Sequence, residues 1–451
     1  MGGRKKGKDE SARMRRIHRH AYILAWLGAH LCEFPSYRIH NTLARLPLRI
    51  LRRLVAWGII ETSIENPTTE STSDQQAKSS KGRKRLLITA IAITVGALFP
   101  EIALRYLLFS DQALARDLGE KLRQPSLYTK GVSDADYWKL MYRFGNSSTK
   151  KPAKLYDPDL GWIRPGIDPE TYANAQHATL AGRRPVLLYG ASFAHCVTQR
   201  EDCFAALLEH SDLKDDLALI NYGVGGYGFG QMYLMYKRTI GLFEGLDPIV
   251  IFAPVIQSDL DRIMVDFRSW PKPKFRIHNG RLSVLSDLTP SGDEYIAQNG
   301  VELKSYAWRY LINGSNFLPP SWKSKLLGKS ALHDSQRLVV ASVVQNIDRM
   351  AEELGHECFF MFFHSHTWLA KDKGQAWQEE HLIRNLSRVG LPWVDTRRPL
   401  LAASETNEVP VANYYIMHGL GRNHLNADGN ALALEALEKG LTGEFEQVVG
   451  E

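Results

Sequence analysis

The chain reads as an α/β protein, a parallel sheet with helices on both faces, preceded by one membrane-anchor helix and a basic head. Three observations predict this. From about residue 150 onward, short apolar runs alternate with helical patterns, which is the signature of a parallel sheet covered on both faces. Leu86 to Phe99 reads LLITAIAITVGALF, an uncharged run that directly follows KGRKR at Lys81 to Arg85. The net charge of +7 is unevenly placed: residues 1–85 carry 18 Lys and Arg against 7 Asp and Glu, and the rest carries 38 against 42. A basic head therefore precedes a mildly acidic body.

The head, 1–85, holds an apolar stretch from Ala21 to Leu31 and a basic amphipathic one, LPLRILRRLVAWGII, from Leu46 to Ile60. The second either lies on an anionic membrane surface or forms a solvated helical hairpin. Residues 61–85 are polar and read as a disordered linker. The anchor is expected over 86–109. It counts the uncharged run, Pro100, Glu101 and IALRYLLF, 24 residues in all. At about 1.5 Å per residue this is roughly 36 Å of helix, enough for a hydrocarbon core of about 30 Å. Glu101 and Arg105 are spaced to pair along it. The basic cluster before the span predicts a cytoplasmic head and an outer body, a single-pass protein of the cytoplasmic membrane with its C-terminal domain periplasmic or extracytoplasmic. Charge abutting an apolar span argues against nucleic acid as the partner of the head.

After a connecting segment, 110–150, one domain is expected over 151–451. Its strands fall at Val186–Tyr189, Leu217–Asn221, Ile249–Pro254, Glu357–Phe363 and Pro392–Val394. Helices fall at Arg337–Leu354, where Val340, Val344, Ile347, Ala351 and Leu354 form one stripe, at Gln375–Val389 and at Asn426–Leu441. An insertion between Asp261 and Gln336 contains FRIHNGRLSVL, a hairpin signal around Asn279-Gly280, which would serve as a substrate rim or lid or as an edge decoration.

Ligands of such sheets bind at the carboxyl ends of the strands, and four segments place chemistry there. In VLLYGASFAHCV, Ser192 follows a strand-ending glycine on a tight turn, which exposes a hydroxyl beside backbone N–H groups. LALINYGVGGYGFGQ brings a strand into a glycine-rich loop. It has neither the lysine of a P-loop nor the dinucleotide fingerprint, so nucleotides are discounted. DPIVIFAPVIQSD ends a strand on Gln257, Ser258 and Asp259. GLGRNHLNADGNALALEAL places His424 just before the last helix, where a general base is reasonable. Cys196 and Cys203 flank the segment after Ser192, either bridged or as two free thiols, and no zinc spacing is present.

Together these segments resemble the SGNH (GDSL-like) hydrolase family over roughly Tyr156 to Leu441. YDPDLGWIRPG (Tyr156 to Gly166), the PKPKFRIHNGRL hairpin and EIALRYLL are similar to a bacterial membrane-anchored subgroup. The resemblance implies a flavodoxin-like parallel sheet sandwiched by helices, with Ser192 as nucleophile and His424 as base. It also implies an oxyanion hole from the Ser192 and Gly226 amides. No metal or organic cofactor is implied. The family's oxyanion asparagine is replaced by Ser258, with Gln257 as the other candidate donor. The acid that usually orients the histidine is missing, Arg422 and Gly421 standing there, and Ala191 replaces the aspartate before the serine. The expected function is a serine ester hydrolase or O-acyltransferase. It acts through a Ser192–His424 dyad on small acyl esters, such as acylated carbohydrate of the envelope or of exported polysaccharide. The alternative is an inactive module that binds glycan or scaffolds an assembly. The topology has a direct test: a reporter fused after Glu451 is expected to be active only outside the cytoplasm, and cytoplasmic activity would overturn the anchor.

Overall fold

The computed structural model describes residues 98–145 and 155–446, except 269, 287, 315–318, 320, 321, 323–330, 371–375 and 420, together with 89 and 96. The chain divides between Ala97 and Leu98, and the fold below is that of the unit Leu98–Glu451. The basic head with its amphipathic stretch and linker, and most of the expected anchor, lie outside the described residues.

Nine strands are used here: β1 (Leu155–Asp157), β2 (Gly161–Ile163), β3 (Arg184–Gly190), β4 (Leu217–Asn221), β5 (Ile249–Ala253), β6 (Lys274–His278), β7 (Arg281–Leu285), β8 (Glu357–Phe362) and β9 (Trp393–Asp395). The helices are α1 (Ala113–Gly119), α2 (Ala135–Arg143), α3 (Pro169–Leu180), α4 (Ser192–His195), α5 (Phe229–Thr239), α6 (Tyr306–Asn313), α7 (Ala331–Leu354), α8 (Trp377–Val389) and α9 (Ala427–Leu441). The central sheet runs β4-β3-β5-β8-β9, every pair parallel. Counted along the chain the five strands stand in the order 2-1-3-4-5, the flavodoxin-like doubly wound order, whose switch point lies between β3 and β5. Each expected strand is present to within two residues at either end.

The strands are apolar on both faces because both faces are covered. Leu187, Tyr189, Val250, Phe252, Phe360 and Phe362 point into one core, closed by α3, α5, α7 and α8. Their alternate neighbours Val186, Leu188, Ile251, Phe359 and Met361 point into the other, closed by α9. Helix starts follow local chemistry. Asp168 accepts from the Thr171 N–H ahead of Pro169, and Asn426 accepts from the Gly429 N–H. The hairpin β6–β7 turns at Asn279 and Gly280, φ 50° and 72°. It is no free lid: Phe275 is fully buried against α5, where a Cβ on Gly230 would stand 2.3 Å from its ring.

No helix among the described residues is long and apolar enough to cross a membrane. The described end of the expected span, 98–109, packs on one side against protein. Residues 98–109 are helical, but Leu108 is buried with Tyr128, Leu140, Phe144 and Tyr306. Glu101 accepts from Ser305 Oγ at 2.8 Å and from the Ala307 N–H at 2.9 Å, capping α6. From Glu101 onward one side of this helix is committed to protein. Arg105 pairs with Glu101 at 2.6 Å, as the spacing predicts.

Asp136 on α2 is buried and accepts from the Glu302 N–H at 3.0 Å. Burial pushes its carboxyl up to about 6. Between pH of about 4 and 6 the folded chain holds a proton that the unfolded one releases, so stability from this group falls as pH rises. Asp136→Asn keeps the acceptor without the charge. Its stability gain in urea melts is expected to be negligible near pH 4 and about 2 kcal/mol at pH 7. An equal gain at both pH values would overturn this account.

Candidate active site

The turn after β3 carries Ser192 at the start of α4, one strand from β5, beside the switch point. Three close approaches shape it. A Cβ on Gly190 would lie 2.3 Å from the Ala194 Cβ, and one on Gly223 would lie 2.5 Å from the His195 nitrogen. Only glycine lets the strand end and the loop after β4 reach the α4 backbone this closely. The third is a clamp. Asn221 Nδ2 donates to the Ala194 carbonyl at 2.6 Å, and its Oδ1 accepts from the Gly223 N–H at 2.8 Å. The glycine loop is thus pinned to the nucleophile turn.

The same loop is held from outside by the β1–β2 lead-in. Trp162 Nε1 donates to the Gly225 carbonyl at 3.2 Å, Tyr227 hydroxyl donates to the Trp162 carbonyl at 2.6 Å, and Gln231 Nε2 donates to the Leu160 carbonyl at 2.7 Å. Gly226 sits in this frame at φ 91°, a conformation that suits glycine. Among the described residues neither the Ser192 nor the Gly226 amide has a hydrogen-bond acceptor.

His424 lies on the same side. Its ring is 5.1 Å from that of Phe193, the neighbour of Ser192. Its Nδ1 stands 2.8 Å from the Gly421 carbonyl, which can only accept, so Nδ1 carries a proton, a contact that selects the tautomer with Nε2 as the acceptor. A backbone carbonyl thus stands where the family would have a carboxylate. The Ser192 hydroxyl has no hydrogen-bond partner among the described residues. Cys196 and Cys203 are joined by a disulfide, Cα–Cα 5.7 Å, which closes the loop after α4.

Ser258 and Gln257 separate in role. Ser258 Oγ donates to Asp259 Oδ1 at 3.0 Å, turned toward the fully buried Asp259 and its half-buried partner Arg262, whose guanidinium also holds the Tyr227 carbonyl. Burial pushes the Asp259 carboxyl up, against the pull of Arg262 and the Val255 N–H. The Ser258 hydroxyl is thus paired with Asp259 rather than free. Gln257 Nε2 lies 3.4 Å from His364 Nδ1, and His364 Nε2 stands 2.8 Å from Asp395 Oδ1. Asp395 in turn accepts from the Arg397 N–H at 2.8 Å, and Arg397 grips both Glu379 oxygens at 2.7 and 2.8 Å. Burial raises the Asp395 carboxyl, but His364 and Arg397 outweigh it and hold it below the usual carboxylate range. His364, Glu379 and Asp395 offer donor atoms within 4.8 Å of one another, yet Arg397 already satisfies Glu379, so the set is an ion-pair network.

This network is what sequence reasoning missed. Its signals were there, since His364 directly follows one expected strand and Asp395 another, both at carboxyl ends. His364 stands at the end of β8, two strands from β3 or roughly 10 Å at about 4.8 Å per strand. That is too far for it to serve Ser192 directly, and Gln257 on the intervening strand end lies between them.

No family model matches the chain, and no curated protein matches it. Solved structures do. An acetyl xylan esterase, AlAXEase, is 14% identical with a TM-score of 0.33, covering 57% of this chain and 99% of its own. A lipase/acylhydrolase from Enterococcus faecalis is 12% identical with a TM-score of 0.31, covering 59% and 100%. The acetylxylan esterase Axe2 from Geobacillus stearothermophilus is 11% identical with a TM-score of 0.31, covering 57% and 93%. At these TM-scores the likeness carries no functional argument, and the fold rests on the strand order itself.

The glycine requirement is testable. Gly223→Ala is expected to cost about 1–3 kcal/mol in urea melts, because its Cβ meets backbone. Gly225→Ala, whose Cβ meets nothing nearer than 3.6 Å, is expected to cost less than about 1 kcal/mol. Equal costs would show that close approach is not what selects glycine at 223.

Proposed function

We propose that the protein is a serine ester hydrolase or O-acyltransferase acting outside the cytoplasmic membrane on small acyl esters, acylated carbohydrate foremost. The observation that carries this is the tautomer of His424. Fixed by Gly421, it offers a basic nitrogen on the side of the sheet that carries the half-buried Ser192. Ser192 Oγ attacks the acyl carbonyl and its proton passes to His424 Nε2. The Ser192 and Gly226 amides receive the oxyanion. The alkoxide leaves with the proton from the imidazolium, and water or a second alcohol then attacks the acyl-serine with His424 again as base. Gln257 supplies the side-chain donor that the family takes from asparagine. Its amide is aimed by His364, which Asp395 orients. The carbonyl at Gly421 holds the ring but offers no negative charge to the imidazolium, so the rate is expected to be modest.

The test uses the full chain in detergent with a fluorophosphonate probe, which labels an activated serine. Labelling is expected in the parent and absent in Ser192→Ala and His424→Ala. Turnover of a small acetyl ester is expected to fall about 10²–10³-fold in Gln257→Leu, the usual effect of losing one oxyanion donor. Folded protein that labels no better than Ser192→Ala would favour the binding-module alternative.

A further inference from the structure

Three helices beside the sheet each bury one face and leave the other apolar face in solvent. On the 98–109 helix Phe99, Ile102 and Tyr106 are 66%, 47% and 38% exposed. On α1, Leu114 and Leu118 are 70% and 63% exposed, and on α6 Trp308 is 51% exposed. Each helix has a buried face as well, through Leu108, Ala115 and Tyr306. The three are locked to one another. Glu101 caps α6, and Arg105 donates to the Lys304 carbonyl and lies over the Tyr306 ring. Gly119 lies so close to Leu107 that a Cβ there would stand 2.2 Å from its carbonyl oxygen. Tyr106 hydroxyl bonds Gln112 across the turn. This is a fixed surface, and soluble proteins seldom leave so many large apolar side chains together in water.

We infer that this face lies in the polar–apolar boundary of a lipid bilayer. The inference rests on the anchor reading of the preceding residues, because the apolar run Leu86–Phe99 ends where the face begins. The composition fits that occupant. Tyr106 and Trp308 have apolar bodies with one polar handle, as interfacial aromatics do, and the exposed Arg116 can reach headgroups. A helix at such an interface keeps an apolar side down and a polar side up. Here the side away from lipid is the protein core.

The experiment uses the full chain reconstituted in vesicles of phosphatidylethanolamine and phosphatidylglycerol. A photoreactive benzoylphenylalanine replaces, one at a time, Ile102, Leu118, Trp308 and the control Leu338, which is 59% exposed on α7. Vesicle flotation reads the anchor, and mass spectrometry of the photoproducts reads the face. Lipid adducts at the first three positions and none at Leu338 are expected. Adducts to residues 1–97 of the same chain, or to a second copy, would overturn the inference by naming another occupant. A chain that floats but forms no lipid adduct at these positions would overturn it while leaving the anchor standing. A chain that does not float would remove both.

Discussion

The Asn221 carboxamide, bridging the Ala194 carbonyl and the Gly223 N–H, is the constraint on which the site depends. It fastens the turn that carries Ser192 to the loop that carries Gly226, two segments from adjacent strands. Parallel strands deliver their carboxyl ends to one edge but do not fix the loops beyond that edge. Here the fixing is done by one buried side chain and by two glycines that allow backbone to touch backbone. The β1–β2 lead-in then holds the glycine loop from its other side through Trp162 and Tyr227. Side chains at the rim thus serve mainly to place backbone amides.

Where residues usual for the resembled family are absent, the protein uses different groups. A backbone carbonyl sets the tautomer of His424, which preserves its role as an acceptor and forgoes the electrostatic help of a carboxylate. The charge that the base lacks is present elsewhere in the same edge of the sheet. Asp395, Glu379 and Arg397 surround His364, and that imidazole faces Gln257. These carboxylates hold His364 and Arg397, and none of them is bonded to His424 among the described residues.

Much of the sheet was legible from the sequence because its strands are buried on both faces and so read as short continuous apolar runs, β5 as IVIFA and β8 as ECFFMF. The hairpin was legible from Asn279-Gly280, since only a turn with positive φ at both residues fits those strands. Ser192, Gly226 and His424 stand out in the sequence because each sits at a strand end or before a helix with distinctive neighbours, and what the structure adds is their setting: Ser192 on the turn after β3 and the His424 ring beside Phe193. The partner of Ser258 was not legible because sequence position says nothing of rotamer, and its hydroxyl donates to the neighbouring Asp259. The His364 network escaped because its members are about 30 residues apart and meet only through the β8–β9 register.

The short ring closed by Cys196 and Cys203 contains Val197, and a Cβ on Gly421 would come within 2.9 Å of the Val197 methyl. The carbonyl that aims His424 therefore leans on a segment whose shape is set by a covalent bond. Such a bond persists only where thiols are oxidised. Bridge and imidazole form one mechanical unit, so closure of the ring and the seating of His424 go together, and a reduced chain would keep its sheet while that histidine lost its backing.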